Sequence, residues 1–537
     1  MDKKLLKFTV TIAMFVGGVF YSANIAAQQA DSAWWNLPYI RHSDAWLASG
    51  NALGLKYLPV DKISVAAVSA NKSNGDFINF YQSNNSYTLG AATESFYRLN
   101  PKVVFYGKVA YENFNGKNMG GSVFIDPYKA PLDIDEYADT TKGAKKLERY
   151  NLAGAVNAQL NKKWTLAGKV NYEAANYAKI KDMRHINKLL NLDAAFGASY
   201  TINKNVEIGA NYDYIRRIES VNFEIAGNTD RQYTSLINFG SFFGVAELHT
   251  NSGYTSDERP MVNNTHKASL LLNIKANTGL QFFNDFYYSS RTGYFGERGT
   301  ASIVYTEHNA TQYGYKGIVA LKKAESLQNI TITANHESLK NNANVYRSET
   351  SAAGNTAIVY YGQTQVLDQD ISNVGIEYTG YFHVDNYNPL FTFKAGADYY
   401  NREQTVMQYP FYRKQLINSY RLHVLANKNI IRQKNMYGVS LGVQYGAGSG
   451  TAKNDGTYVT PSSSQVSPAS KDNYLYQEYE YFTNPRVKSE IGLQYSRIMD
   501  VHVAAYVKLQ YAYTKAFNVV YLGNSFNAVN FTVGCTF

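Results

Sequence analysis

Cysteine is nearly absent from this sequence: Cys535 is the only one among 537 residues. A disulfide within the chain is therefore excluded, and no cysteine follows the N-terminal segment where a lipid anchor would be attached. Proline is also scarce, with 11 residues, which permits long strands with unbroken hydrogen bonding. After the first 27 residues, no uncharged apolar run reaches the roughly 20 residues that a membrane-spanning helix requires. These absences leave a large soluble β-protein or a membrane β-barrel as the main alternatives.

Residues 1–27 have the order of charged, apolar and small residues that a secretory signal peptide shows. Three lysines precede the uncharged apolar run of residues 8–21, and small residues before Gln28 suggest cleavage near that point. The sequence therefore predicts an exported protein.

Tyrosine and glycine are abundant, with 47 and 39 residues. Tyrosine suits the interfacial belts of membrane proteins, because its ring is apolar and its hydroxyl group hydrogen-bonds to water. The formal net charge is +10, and its charges are scattered along the chain. This pattern predicts a weak preference for anionic surfaces such as lipopolysaccharide, and no nucleic-acid-binding motif is present.

Alternation of apolar and polar residues is the strongest signal in the chain. From Trp164 to Tyr172 every second residue is apolar or small, whereas Lys169 and its polar neighbours occupy the positions between. Only a β-strand places alternate residues on opposite faces. The preceding segment alternates in the same way and is separated by residues 161–163, which predicts a hairpin.

The hairpin unit recurs, and short polar turns alternate with long polar connections at residues 114–146, 215–265 and 447–472. Its strands approach ten or more residues, which is enough for a tilted strand to cross a bilayer. The sequence predicts an all-β, antiparallel up-and-down transmembrane barrel over residues 61–537, with about 18 strands (range roughly 14–20), short periplasmic turns and long extracellular loops. The candidate turns are residues 161–163, 203–205, 277–279, 386–389 and 498–500, sites near Asn100 and Ser326, and a site within residues 428–434.

A barrel directs the apolar face of each strand to lipid and the polar face to the lumen. A solvated outer face of a sandwich would also accept charges, so strand length decides in favour of the barrel. The predicted lumen-lining residues are Lys169, Glu173, Glu207, Asp213, Lys394, Asp398, Lys488, Glu490 and Lys508.

The final strand ends on an aromatic residue, with Phe531, Val533, Cys535 and Phe537 on one face. This ending resembles the assembly signal of outer-membrane barrels, and the resemblance implies the barrel-assembly machinery as a partner. The same alternation predicts that Cys535 faces lipid, where a thiol acts as a small hydrophobe.

At the level of the whole chain, the sequence resembles the uncharacterised outer-membrane barrels common in the Bacteroidota. The resemblance rests on architecture and on a composition rich in Tyr, Asn and Lys. It implies a porin- or transport-like barrel in the outer membrane of a Gram-negative bacterium, among outer-membrane lipid and lipopolysaccharide.

Residues 28–60 do not alternate and contain Trp34, Trp35 and Trp46, three of the four tryptophans. They predict a periplasmic or plug-like segment, with a disordered lead-in as the alternative. Residues 49–53 resemble the Asn-Pro-Ala segment of outer-membrane fatty-acid transporters, although the proline is missing here. The segment is too short for the plug of a TonB-dependent receptor, so such a receptor is expected only as an operon partner.

Enzymatic function is not predicted, and neither catalytic residues nor a cofactor is expected. The nine histidines are spread singly, and the acidic run of residues 133–139 favours a solvated loop over a calcium site. The favoured function is a channel or transporter for small solutes. The alternatives are an accessory or structural barrel of a nutrient-uptake or secretion complex and a fatty-acid-transporter-like barrel for hydrophobic substrates.

Overall fold

A computed structural model describes residues 34–226, 231–249, 253–256, 258–276, 278–350 and 352–537. The predicted signal peptide, residues 1–27, and residues 28–33 of the N-terminal segment lie outside the described residues.

Eighteen strands, counted over the described residues, form one closed antiparallel barrel in which each strand pairs with its neighbours along the chain. The last strand pairs with the first, with Val533 opposite Val68, and this pairing closes the barrel. Four further strands, β4, β9, β10 and β19, form a separate sheet. The strands are β1 (Lys62–Gly75), β2 (Asn85–Asn100), β3 (Val103–Met119), β4 (Asp133–Glu136), β5 (Gly143–Gln159), β6 (Trp164–Lys179), β7 (Arg184–Thr201), β8 (Val206–Glu224), β9 (Thr234–Asn238), β10 (Phe243–Leu248), β11 (Arg259–Lys275), β12 (Leu280–Gly296), β13 (Val304–Lys323), β14 (Ser326–Thr350), β15 (Thr356–Asp385), β16 (Asn388–Gln408), β17 (Phe411–Arg432), β18 (Asn435–Thr457), β19 (Ala469–Ser470), β20 (Arg486–Asp500), β21 (Val503–Ala516) and β22 (Ser525–Thr536).

One end of the barrel, the turn end, carries connections of two to four residues, and this confirms the predicted strand number and hairpin pattern. The last of these turns is displaced: β20 continues to Asp500, so the turn lies at residues 501–502 rather than 498–500.

The opposite end, the loop end, carries long connections at residues 120–142, 225–258 and 458–485. Not every connection there is long, because only residues 409–410 join β16 to β17. In that region the strands themselves are extended, with 25 residues in β14 and 30 in β15. About ten residues suffice to cross a bilayer, so these strands project well beyond the membrane.

The outer surface of the barrel is apolar and bracketed by tyrosines. On β18, Tyr437 and Tyr445 flank Val439, Leu441 and Val443, and all five side chains are exposed. Eight residues of strand span about 27 Å along its axis, and the usual tilt reduces this to roughly the height of the apolar band of an outer-membrane barrel. In the part of the chain that the structure describes, no helix is both long and apolar enough to cross a membrane.

The position of Leu270 in the apolar band leads to a testable prediction. Leu270 is 70% exposed and lies five residues before Lys275, where β11 ends at the turn end of the barrel. This position is near the bilayer midplane, so Leu270→Arg is expected to destabilise the barrel by about 2–4 kcal/mol. Lys267→Arg, on the inner face of the same strand, is the matched control and is expected to change stability little. Urea unfolding in lipid vesicles, followed by tryptophan fluorescence, measures both, and equal effects would contradict the assignment of faces.

Candidate functional site

The N-terminal segment folds into three short helices: α1 (Leu37–His42), α2 (Ala45–Ala48) and a 3-10 helix (Ala52–Tyr57). Each begins at a side-chain cap, where Asn36, Asp44 and Asn51 accept hydrogen bonds of 2.9 Å from backbone N–H groups of their own helices. Helices of this length are not stable alone in water, so tertiary packing holds them. Residues 34–60 are called the N-terminal layer below.

Apolar packing places the N-terminal layer inside the barrel. Trp46 and Leu53 are fully buried, and the Trp46 ring lies 5.4 Å from the ring of Phe283 on the inner face of β12. The 3-10 helix crosses α2 closely at Gly54, where a Cβ atom would lie 2.5 Å from the carbonyl oxygen of Trp46. Only glycine fits at this crossing.

Polar contacts attach the N-terminal layer to strands on several sides of the barrel. Some of these bonds run from wall amides and a lysine to backbone carbonyl groups, and one runs from a backbone N–H group to a wall glutamine. They are Asn157 Nδ2 to Ala52 O (3.1 Å) and Leu53 O (3.0 Å), Lys316 Nζ to Ser49 O (2.9 Å), Asn329 Nδ2 to His42 O (3.0 Å), and Ala45 N to Gln281 Oε1 (3.0 Å).

A buried ion pair between Lys56 and Glu207 is the strongest polar contact of the layer. The two side chains are 7% and 5% exposed, and Tyr57 also donates to the Glu207 carboxylate. From the wall, the Ser199 hydroxyl donates to Glu207 at 2.5 Å. Burial lowers the pKa of Lys56, and Glu207 opposes this shift. Removing one charge of such a pair typically costs about 3–5 kcal/mol, because the other charge is left buried.

A second layer fills the lumen at the loop end. It consists of the sheet ordered β19-β10-β9-β4, together with helix α3 (Asp472–Thr483), and is called the loop layer. Its apolar side chains, among them Ile134 and Phe243, pack against inward-facing wall residues such as Leu367 and Val406. The wall also holds α3 through a buried ion pair, Arg402 to Glu478, at 2.6 Å.

The expectation of a solvated acidic loop at residues 133–139 is wrong for Asp133, Asp135 and Glu136. Asp133, Asp135 and Glu136 form strand β4 and are buried inside the loop layer, because the three long loops fold into the lumen. Asp133 accepts from Ser122 Oγ at 2.8 Å, and Asp135 accepts from Asn238 Nδ2 at 2.7 Å. Burial raises the pKa of Asp133 to about 7 and that of Asp135 well above its usual value. Over the described residues, no group of three or more His, Cys, Asp or Glu side chains is arranged to hold a metal ion.

A chamber of about 730 Å³ lies against the wall, at a height between the wall residues that contact the two layers. Its wall consists of small, polar and charged side chains and two tyrosines, contributed by β1, β2, β3, β5, β6 and β22. Arg149 lies 3.2 Å from Glu173, and Lys169 is nearby on the same strand as Glu173. The chamber therefore presents both charges and amide groups to a solute.

The predicted lumen residues fall into separate clusters. Lys169 and Glu173 line the chamber, whereas Glu207 binds the N-terminal layer. Asp213 accepts from Asn211 Nδ2 at 2.7 Å.

The remaining predicted residues form two further clusters, one on β16 and one on β20 and β21, next to the chamber wall. On β16, Lys394 lies 3.7 Å from Glu377, and Asp398 lies 2.8 Å from Arg421. On β20, Lys488 lies 3.1 Å from Glu490, which also interacts electrostatically with Lys508 on β21.

Several residues inside the barrel are not among those predicted from the sequence. Arg149 could have been found, because it alternates with the outward-facing Leu152 on the same strand. Lys56 and Arg402 could not, because their partners Glu207 and Glu478 are distant in sequence.

The residues of the predicted assembly signal lie on β22 and just after it. Phe531 is 46% exposed on the outer surface, and Val533 faces Val507 of β21 as well as Val68 of β1. Cys535 shares this alternation but is only 7% exposed. Phe537 contacts Lys62, whose ammonium lies 5.6 Å from the ring centroid. Recognition by the assembly machinery stays a prediction.

A closed barrel with an apolar, tyrosine-bracketed exterior and a charged lumen is the architecture of an outer-membrane β-barrel protein. Residues 52–537 match the Family of unknown function DUF6850, and the chain belongs to that family. No curated protein matches the sequence.

Several solved barrels are similar in structure. The RagAB peptide importer in its closed-closed state has 7% identity and a TM-score of 0.39, covering 89% of this chain and 86% of that chain. The siderophore receptor PiuA of Acinetobacter baumannii has 10% identity and a TM-score of 0.35, with coverages of 88% and 82%. A deletion mutant of the monoaromatic hydrocarbon channel TodX has 10% identity and a TM-score of 0.32, with coverages of 91% and 93%. Likenesses of this level carry no argument about function, and the resemblance to Bacteroidota barrels stays a prediction.

The buried carboxyl groups of β4 predict a pH dependence of the loop layer. A carboxyl group with a raised pKa destabilises the folded state as pH rises from its usual value of 3.8 to its folded-state value of about 7. Backbone amide exchange in β4 and β9, corrected for intrinsic rates, is therefore expected to accelerate between about pH 4 and pH 7.

The double variant Asp133→Asn/Asp135→Asn keeps the size and hydrogen-bonding capacity of the side chains but cannot ionise. It is expected to exchange at a rate independent of pH, whereas Asp61→Asn, at a side chain 92% exposed, serves as the control. An unchanged pH profile in the double variant would contradict the role of the two carboxyl groups.

Proposed function

We propose that this protein is a gated outer-membrane transporter for small polar solutes. The observation that carries the proposal is the chamber of about 730 Å³, at a height between the wall residues that contact the N-terminal layer and the loop layer. Cavities of roughly 300–1,000 Å³ are typical of sites for small organic molecules. A barrel of this strand number is wide enough to leave an aqueous lumen, so the layers control what passes.

The lining of the chamber favours hydrophilic cargo. Lys108, Glu112, Asn151, Asn171 and Thr532 are among its side chains, and they would hydrogen-bond to a polar solute. A long-chain fatty acid would instead leave these groups unpaired, which costs free energy. The lining therefore disfavours the fatty-acid alternative.

The N-terminal layer is suited to act as the gate at the turn end. Among the described residues, one hydrogen bond between backbone groups, from Asn36 N to Tyr387 O at 3.2 Å, joins it to the barrel. Elsewhere in the described part of the chain, its hydrogen bonds to the barrel involve side chains, and the chain continues from the layer into β1. The free energy of opening a single segment ranges from near zero to that of global unfolding. The layer can thus leave the lumen while every barrel strand stays paired. An accessory role beside a TonB-dependent receptor or another operon partner stays a prediction.

Planar-bilayer conductance tests this gate. Wild-type protein is expected to conduct in rare, brief openings, because the layer occupies the lumen. Lys56→Met leaves Glu207 buried without its cation, so the undocked population and the fraction of time open should rise at least about tenfold, the equivalent of about 1.4 kcal/mol.

The double variant Lys56→Met/Glu207→Gln is the matched control. It removes both charges but keeps an acceptor for Tyr57 and Ser199, so the layer should stay docked and conductance should return towards the wild-type level. Equal, permanently open conductance in all three proteins would show that the layer is not a gate. Silence in all three would contradict a transport function.

A further inference from the structure

A second cavity, of about 410 Å³, lies inside the barrel at the loop end, between the loop layer and the wall. Aromatic side chains from the β1–β2 connection at residues 76–84, from α3 and from the wall form much of its surface. They are Phe77, Tyr81, Phe114, Tyr177, Tyr481 and Phe526. Phe77 and Tyr481 stack with ring centroids 5.4 Å apart and an interplanar angle of 24°. The cavity therefore offers aromatic surface to a ligand.

Cations outnumber acids in the lining of this cavity. Arg149, Arg486 and Lys488 contribute positive charge, whereas Glu112 is the carboxylate among the described lining residues. Lys488 is compensated by Glu490 at 3.1 Å, and Arg149 by Glu173 at 3.2 Å. Arg486 is therefore the lining cation that remains for an anionic occupant.

Arg486 is the cation best placed to receive that anion. Over the described part of the chain it makes no ion pair within 4.0 Å, and its Nη1 donates to Phe482 O at 3.1 Å and Asn484 O at 3.2 Å. A guanidinium carries five N–H donors in a planar fork, so donors remain for a ligand. On the neighbouring strand β18, Gly446 pairs with Arg486. A Cβ atom at Gly446 would lie 3.1 Å from the guanidinium carbon of Arg486. Glycine thus leaves room for the arginine.

We infer that this cavity binds small organic anions that carry an aromatic ring, such as aromatic carboxylates. The carboxylate would pair with the guanidinium of Arg486, and the ring would lie against Phe77 and Tyr481. Glu112 and Arg149 line both this cavity and the central chamber, so the two spaces adjoin. The cavity would be the first site for a solute arriving from the loop end, a role that rests on the proposed transport function.

Equilibrium binding to the purified full-length protein in detergent tests the site, with 2-naphthoate as the probe and isothermal titration calorimetry as the measurement. The wild-type protein should bind 2-naphthoate more tightly than the neutral 2-naphthamide and than acetate, which lacks the ring. Arg486→Gln should weaken 2-naphthoate binding by about ten- to a hundredfold, as expected for loss of a charged hydrogen-bond donor.

Arg432→Gln, an exposed arginine next to a turn at the other end of the barrel, is the matched control and should bind as the wild type does. Phe77→Leu keeps the charge and should weaken 2-naphthoate binding several-fold without changing the preference for the anion over the amide. The thermal unfolding transition of each variant verifies folding.

The binding and conductance results together distinguish failure of the proposed binding site from failure of the proposed transport function. Equal affinity for 2-naphthoate and 2-naphthamide, or an Arg486→Gln variant that binds as the wild type, overturns the site, even if the conductance results support the gate. Binding that depends on Arg486 supports the site even if all proteins are silent in bilayers, in which case transport is wrong.

Discussion

The requirement that every backbone amide group inside a bilayer be hydrogen-bonded determines the rest of this structure. The pairing of β22 with β1 meets it by removing the last free strand edges. Closing eighteen strands, the number in the described chain, creates a lumen too wide for inward-facing side chains to fill. Either water or segments of the chain itself must fill this lumen. In this protein the N-terminal layer fills part of it at the turn end, and the loop layer fills part of it at the loop end.

The two layers give the inner face of the wall two kinds of surface. Where a layer packs, inward-facing residues such as Phe283 and Val406 are apolar and buried. Between the layers, Lys169, Glu173 and Arg149 face the chamber. Polar side chains surround the cavity that remains. In the proposed transport function, the wall stays rigid and the N-terminal layer acts as the separable barrier.

Much of the fold could be predicted because strand alternation and turn chemistry are local. The turn at residues 161–163 follows from its polar residues between two alternating segments, and the total strand number follows from repeating that unit. Burial of the long loops in the lumen could not be predicted. Asp133 and Asp135 have the composition of a solvated loop, yet they are inside the loop layer, because a loop folding inward contacts strands that are distant in sequence. The pairing of Lys56 with Glu207 and of Arg402 with Glu478 could not be predicted either, because the partners are far apart along the chain.

The triplet Leu270-Leu271-Leu272 shows where local information ends. By itself the sequence determined that these residues belong to a strand and that neighbours point to opposite faces, because a β-strand has a period of two. Only the tertiary structure decided that Leu270 is 70% exposed at the lipid face while Leu271 is 3% exposed. The reason is that Leu271 packs in the same apolar core as the N-terminal layer, more than two hundred residues away in the chain. Alternation assigns a side chain to a face, and the segment that folds against that face decides whether it contacts water, lipid or protein.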